Sequence, residues 1–292
     1  MHIRRLQPGS DVEKVCAFLA QLEAGTGIPP LGESKFVDLG GPLEGVGFIA
    51  EDQGTIRAYL HLLRHESSDV WELEIAADRL SDRDLEDLLA AAAAEASSPA
   101  LWWTFGDGAG AAFASGRFPV TRTLHKLEGA IPVSERWRVP DGFRVEPFRP
   151  GIDEEAWLVV NNAAFERHPE NGAWTVADIV ERQSREWWDA AGFRLWWADD
   201  RVAGFCWTKR HNSELGEIHV IAVHPEFQGR GLGRSILIEA LSYLAGEGCR
   251  TGMLYVDTAN RTALDLYQSL GFELARVDRC FAIPNDWPHE VQ

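Results

Sequence analysis

The sequence predicts an α/β (α+β) fold made of two copies of one unit, each a mixed central sheet flanked by helices. Three observations predict it. Apolar runs of strand length alternate with single helical patterns of about 10 to 15 residues, an alternation that builds mixed sheets covered by helices. The order of elements is the same on either side of GAIPVSERWRVPDG, from Gly129 to Gly142, where two prolines interrupt the strand-like run Arg122 to Leu127. A chain of 292 residues with 45% hydrophobic content also suits two cores of ordinary domain size.

The copies align at an offset of roughly 145 to 155 residues. WELEIAA, from Trp71, stands opposite GEIHVIAV, from Gly216. The helical DRDLEDLLAAAAAEA answers GRSILIEALSYLAGEG, and FGDGAGAAFASGRF answers YVDTANRTALDLYQSLGF with a few residues missing. The expected domains are therefore 1–135 and 136–292.

Composition excludes several classes of function. The formal net charge of −17 is spread along the chain and repels phosphate backbones, so neither nucleic acid nor an anionic membrane surface is an expected partner. A small, cationic acceptor suits this charge better. No run approaches ~18 apolar residues and the start MHIRRLQPGS has no apolar signal core, which predicts a cytoplasmic protein. Cys16, Cys206, Cys249 and Cys280 are scattered and form no CxxC pair, so they are expected as thiols. No group of His, Cys and carboxylates has metal-ligand spacing, and His211, His219 and His224 read as surface or sheet histidines. No metal is expected. A monomer is compatible with the sequence, which does not set the oligomeric state.

The segment EIHVIAVHPEFQGRGLGR, Glu217 to Arg234, carries the chemistry. Ile218 to Val223 is a β-branched run expected of a buried strand, ended by His224 and Pro225. A glycine loop follows. A helix then begins whose apolar positions Leu232, Ile236, Leu237, Ala240, Leu241 and Leu244 recur at helical spacing. The first amides of a helix lack internal partners and sit at the positive end of its dipole, which makes the loop an anion site. Gly229, Gly231 and Gly233 let the backbone wrap closely around a pyrophosphate, and Arg230 and Arg234 add charge-assisted contacts.

The strand, HP, spacer, QGRGLG and helix together resemble the acetyl-CoA pyrophosphate loop of the GNAT N-acetyltransferases. No GK[ST] follows, as a Walker loop requires, and no ribose-binding carboxylate stands where a dinucleotide site needs one. LYVDTANRTALDLYQSLGF, Leu254 to Phe272, resembles the family's next strand and helix, and its YQSLGF resembles the family's YxxxGF. The resemblance implies acetyl-CoA as cosubstrate, bound by Ile221, Ala222, Val223, Gln228, Gly229, Arg230, Gly231, Leu232, Gly233, Arg234, Tyr255, Asn260, Arg261, Thr262, Ala263, Leu264 and Asp265. It also implies that Tyr267 protonates the departing thiolate. A backbone amide within Ile221 to Val223 would polarise the thioester carbonyl, and Glu217, opening the strand beside it, is the expected base for the ammonium of the acceptor.

NNAAFERHPENGAW from Asn161, FCWTK ending at Lys209, LGEIHV around Glu217 and GIPPLGESKF near the N-terminus are similar to the two-domain mycothiol synthases. Those enzymes acetylate the cysteinyl amine of cysteinyl-glucosaminyl-inositol. The resemblance implies that Glu33, Glu170, Lys209 and Glu217 face the acceptor. Other acceptors remain open, among them an amino sugar, a polyamine or a peptide N-terminus, as does a non-catalytic acyl-CoA sensor on the same fold. The first domain departs from the pattern. In place of a glycine loop it reads AADRLSDRDLEDLL, whose carboxylates Asp78, Asp82, Asp84, Glu86 and Asp87 repel a pyrophosphate. It is expected to be a degenerate copy that binds no coenzyme.

Overall fold

The computed structural model describes the whole chain except residues 42–43, 65–69, 97–99, 167–173, 285–286 and 288–292. The first ten elements are β1 His2–Arg5, α1 Val12–Thr26, α2 Glu33–Gly40, β2 Val46–Asp52, β3 Thr55–Arg64, β4 Trp71–Ala77, α3 Asp82–Ala93, β5 Ala100–Phe105, α4 Ala109–Ser115 and β6 Val120–Ala130. The rest are β7 Arg144–Pro147, α5 Glu154–Ala164, α6 Val176–Gln183, β8 Phe193–Ala198, β9 Arg201–Arg210, β10 Leu215–Val223, α7 Leu232–Gly246, β11 Thr251–Asp257, α8 Arg261–Ser269 and β12 Glu273–Ile283.

The chain divides into two compact units, Met1–Leu124 with Arg276–Gln292, and His125–Ala275. In the first, the strand order is β1-β2-β3-β4-β5-β12, antiparallel except for the parallel pair β4 and β5. In the second it is β7-β8-β9-β10-β11-β6, with the pairs from β7 to β10 antiparallel and β10 and β11 parallel. The two orders correspond position by position until the sixth strand. There the units exchange. The last strand of the chain completes the first sheet, Asp278↔Phe105 to Ile283↔Ala100, while the second half of β6 lies beside β11. Ile131 N then donates to Arg250 O in the second unit at 2.9 Å.

Local chemistry explains the joints. The β2–β3 hairpin turns on Gln53 and Gly54, both at positive φ, the tight turn whose twist matches the flanking strands. Period-two alternation then sends β2 and β3 side chains to opposite faces. Phe48, Ala50, Ala58 and Leu60 join a core with Leu73, Leu88 and Trp102, whereas Ile49 and Tyr59 join another with Leu19 and Leu39. In the second unit, Ala203 and Cys206 meet α7 residues Ile236, Leu237 and Leu241, and Phe205 and Trp207 meet Trp157 and Phe193. Helix α7 sits close enough that a Cβ on Gly204 would lie 2.7 Å from Ile236 Cδ1 and 2.8 Å from Ala222 O.

Phe281 of β12 is fully buried in the first unit's core beside Ala100 and Trp102. Phe281→Ala is expected to cost about 3–5 kcal/mol, the usual range for a buried phenylalanine. Amide hydrogen exchange should rise in β2–β5 and not in β8–β11, although residue 281 follows the second unit in sequence.

Candidate active site

The parallel pair at the centre of the second unit is paired for only part of its length. β10 and β11 match Leu215↔Thr251, Gly216↔Gly252 and Glu217↔Met253, and no further register follows among the described residues. From Ile218 onward the β11-facing edge of β10 has no strand partner among the described residues, which leaves backbone donors available on the stretch Ile221 to Val223. On its other edge β10 stays paired with β9 to Val223↔Gly204, with a register shift between Ile218 and Val220. The shift has a consequence for side chains. Ile218, Ile221 and Val223 pack with the α7 core, and Val220 and Ala222 pack with the tryptophan core. His219 packs its ring on Trp187 and Trp207, so His219 and Val220 face the same side in succession, as a bulge allows.

The loop between β10 and α7 is open to an anion. Gly229 and Gly231 hold φ of 75° and 76°, a region that side chains rarely adopt, and Gly231 is the N-cap of α7 without a side-chain cap. Among the described residues, the amides of Gly229, Arg230, Gly231, Leu232 and Gly233 donate to nothing, whereas Arg234 N and Ser235 N return to Gly231 O. Five successive free donors at a positive helix end match a pyrophosphate and its charge. Gln228 Nε2 braces the loop on Val223 O at 3.1 Å. Arg230 lies over Phe227, while Arg234 is bound in a fork to Glu135, with distances from 2.5 to 3.1 Å, and to Ser269 Oγ at 2.8 Å. Of the two arginines, Arg230 is therefore the one without an ion pair among the described residues.

The first unit repeats the parting of strands without the open loop. β4 and β5 pair from Trp71↔Ala100 to Glu74↔Trp103, and a cavity of about 380 Å³ lined by Ala76, Ala77, Leu80 and Trp103 follows. Helix α3, however, caps itself. Ser81 Oγ accepts from Asp84 N, and the Asp84 carboxylate accepts from Ser81 N, a reciprocal arrangement that uses two amides an anion would need.

Glu217 lies at the last paired residue of β10, 7% exposed, with an imidazole on each oxygen. His211 Nε2 stands 2.6 Å from Oε2 and His219 Nδ1 stands 3.1 Å from Oε1. Burial alone would push the Glu217 carboxyl up, but hydrogen bonds from His211 and His219, reinforced by positive charge whenever the rings are protonated, hold it well below the usual carboxylate range. Sequence reasoning took both histidines for sheet or surface residues; the spacing of Glu217 and His219, two apart on one strand, was the available signal. Lys209 Nζ sits 4.5 Å above the Trp187 ring, on the same aromatic wall that holds His219.

Helix α8 starts on Asn260, whose side chain accepts from Ala263 N at 3.2 Å. Arg261, Thr262 and Asp265 are exposed, Ala263 is half-buried and Leu264 is buried; Tyr255 on β11 is exposed. Tyr267 is buried with Phe272 and Leu254, and its hydroxyl makes no hydrogen bond among the described residues. Burial, and beyond it the charge of Cys206, pushes its ionisation up, so the phenol keeps its proton. Glu33 is exposed at the start of α2 in the first unit. Glu170 lies outside the described residues. No helix among them is long and apolar enough to cross a membrane, and no group of side chains among them could hold a metal ion.

The model of the Acetyltransferase (GNAT) family matches residues 157–272. The mycothiol acetyltransferase of Thermomonospora curvata is 36% identical over 280 residues, 93% of this chain and 94% of that one. That of Thermobispora bispora is 36% identical over 94% of this chain and 96% of its own. Among solved structures, a GCN5-related N-acetyltransferase from Sphaerobacter thermophilus superposes with a TM-score of 0.73 at 20% identity, covering 97% of this chain and 95% of that one. A tandem GNAT protein from the clavulanic acid biosynthesis pathway gives 0.72 at 18%, covering 97% and 98%. With the parted strands and open helix end of the second unit, these matches place the chain in the GNAT acetyltransferase family, as an acyltransferase similar to the mycothiol acetyltransferases over nearly its full length.

Proposed function

We propose that this protein acetylates the cysteinyl amine of cysteinyl-glucosaminyl-inositol with acetyl-CoA. One observation carries the reading: an ionised Glu217 cluster stands where β10 and β11 begin to part, in a chain 36% identical to mycothiol acetyltransferases. Acetyl-CoA supplies the activated acetyl group. The pyrophosphate fits the free amides of Gly229 to Gly233 with Arg230 beside them, and the remaining contacts are assigned to Ile221 to Val223, Gln228, Arg234, Tyr255 and Asn260 to Asp265.

The chain's own groups then divide the work. The unpaired edge of β10 offers an amide to the thioester oxygen. The acceptor ammonium meets the Glu217 cluster, and Lys209 offers its ammonium to an acceptor oxygen. Tyr267, which keeps its proton, donates to the departing sulfur. Glu33 and Glu170 are assigned to the acceptor on the sequence resemblance alone. A cytoplasmic location accords with four scattered cysteines that form no CxxC pair.

Release of coenzyme thiol should be fastest with cysteinyl-glucosaminyl-inositol, compared with glucosamine, spermidine and a short peptide in the same assay. Preference for any of those three would replace the acceptor and keep the reaction. Calorimetry should give one coenzyme site per chain, because α3 caps itself. Gly231→Asp should abolish that binding, placing a carboxylate and a strained φ in the loop. Tyr267→Phe should keep coenzyme affinity and lose about 10²-fold in kcat, the typical cost of a missing general acid. Normal turnover of that variant would assign the thiolate's proton to another donor.

A further inference from the structure

We infer that His219, and not Glu217, takes the proton from the acceptor ammonium, with Glu217 acting as the group that fixes the histidine's tautomer. The argument begins with donor and acceptor counting. An ionised carboxylate only accepts hydrogen bonds, so both imidazole nitrogens that face Glu217 must carry hydrogen. His219 then bears its hydrogen on Nδ1, and in the neutral ring the lone pair is left on Nε2, pointing away from the carboxylate. That nitrogen is a ready base. Glu217 is not: two hydrogen bonds occupy its two oxygens, it is buried, and its affinity for a proton is far below that of an imidazole.

The fold fixes the ring as firmly as the carboxylate does. Alternation puts His219 on the same face of β10 as Glu217, and the register shift between Ile218 and Val220 keeps Val220 on that face beside it; there the ring meets Trp187 at 5.0 Å and Trp207 at 5.2 Å, both edge-on. Its side chain remains 21% accessible, against 10% for Glu217. Among the described residues, the charged or titratable groups around it are Glu217 on β10, His211 in the turn after β9, and Lys209 across Trp187. His211, 34% accessible, is a positioning residue: its donor satisfies the second oxygen and keeps Glu217 ionised when the proton arrives.

The step balances as follows. One N–H bond of the acceptor ammonium breaks, its electron pair stays on nitrogen, and the proton joins His219 Nε2. The imidazolium so formed gains the charge of Glu217 across the Nδ1 hydrogen bond. The free amine attacks the thioester carbon, the C–S bond breaks with its electron pair going to sulfur, and Tyr267 gives the sulfur its proton; the attacking nitrogen sheds its second proton to solvent as the amide forms, and solvent reprotonates Tyr267. His219 returns its proton to solvent.

This inference rests on the acetyl transfer proposed above, and its test separates the two. Wild-type turnover of cysteinyl-glucosaminyl-inositol tests the reaction; the variants below are compared on whichever amine the wild type acetylates. His219→Gln keeps a donor for Glu217 and removes the base. Its kcat/KM should fall about 10²-fold at neutral pH and then climb with pH toward the acceptor amine's own pKa. His219→Ala should recover part of its rate with added imidazole. Long-range ¹H–¹⁵N correlation spectra of the wild type, which need no acceptor, should show neutral His219 with hydrogen on Nδ1, and Glu217→Gln should release that preference. Hydrogen on Nε2 overturns the inference. So does a His219→Gln enzyme with the wild-type pH profile, or one whose rate loss is matched by an equal loss of coenzyme affinity.

Discussion

A parallel strand pair that stops pairing halfway along is the constraint from which the second unit takes its chemistry. Backbone groups on an unpaired strand edge must find partners, because a buried donor left alone costs about 1–3 kcal/mol. After Glu217 and Met253 the edges of β10 and β11 find none in each other. They stay tolerable only if water or a ligand reaches them, so the sheet itself opens a cleft. The outer pairs stay closed, since β9 follows β10 to its end and α7 is pressed against Gly204 and Gly216 without room for a side chain. A rigid frame around an open edge is what a preorganised acyl site needs.

Both units bury a carboxylate at the last paired residue before the strands part, and they compensate it differently. In the first unit this residue is Glu74, held by Lys35 Nζ at 3.1 Å and by Gly32 N at 2.6 Å, with Lys35 also 2.8 Å from Glu72. Burial would lower the pKa of Lys35, but the two carboxylates outweigh it and raise it, so this ammonium keeps its proton throughout the neutral range. In the second unit the partners are imidazoles, whose ordinary range lies near neutrality. The same position is therefore held by an ammonium in one copy and by two imidazoles in the other. Nearby, Asp38 accepts from Glu44 N and Gly45 N and sits 3.0 Å from His61, which burial depresses to about 4 despite Asp38. That network too is built to hold structure.

What the sequence made legible was local. The glycines at positive φ, the helix that follows them and the Asn260 cap all follow from residues within a few positions of one another, and each stands where the spacing put it. The mixed sheets flanked by helices were legible for the same reason. The exchange of β6 and β12 was not, because strand partners are chosen by packing across the chain and each strand read alone suits either sheet. Arg234 shows a partner that sequence spacing does not reveal: Glu135, 99 residues away, meets its guanidinium. Of the two partners of Glu217, His219 follows from alternation as the residue two positions on, whereas His211 does not, because it stands in the turn after β9 and meets the carboxylate only once β9 and β10 pair.

The two copies also differ in how each satisfies the first amides of its central helix. Helices α3 and α7 follow equivalent strands, and each begins with amides that lack intrahelical partners. In α3 the pair Ser81 and Asp84 supplies acceptors from the chain, and Asp82 in the same turn adds negative charge where the dipole favours it. The helix start is then complete without a ligand. In α7 the equivalent positions are Gly231 and Arg234, which supply no side-chain acceptor, so the amides of Gly229 to Gly233 stay uncapped among the described residues. A few side chains at the helix start thus decide whether those amides are capped within the chain or left open, in two units whose strand orders correspond through the fifth strand.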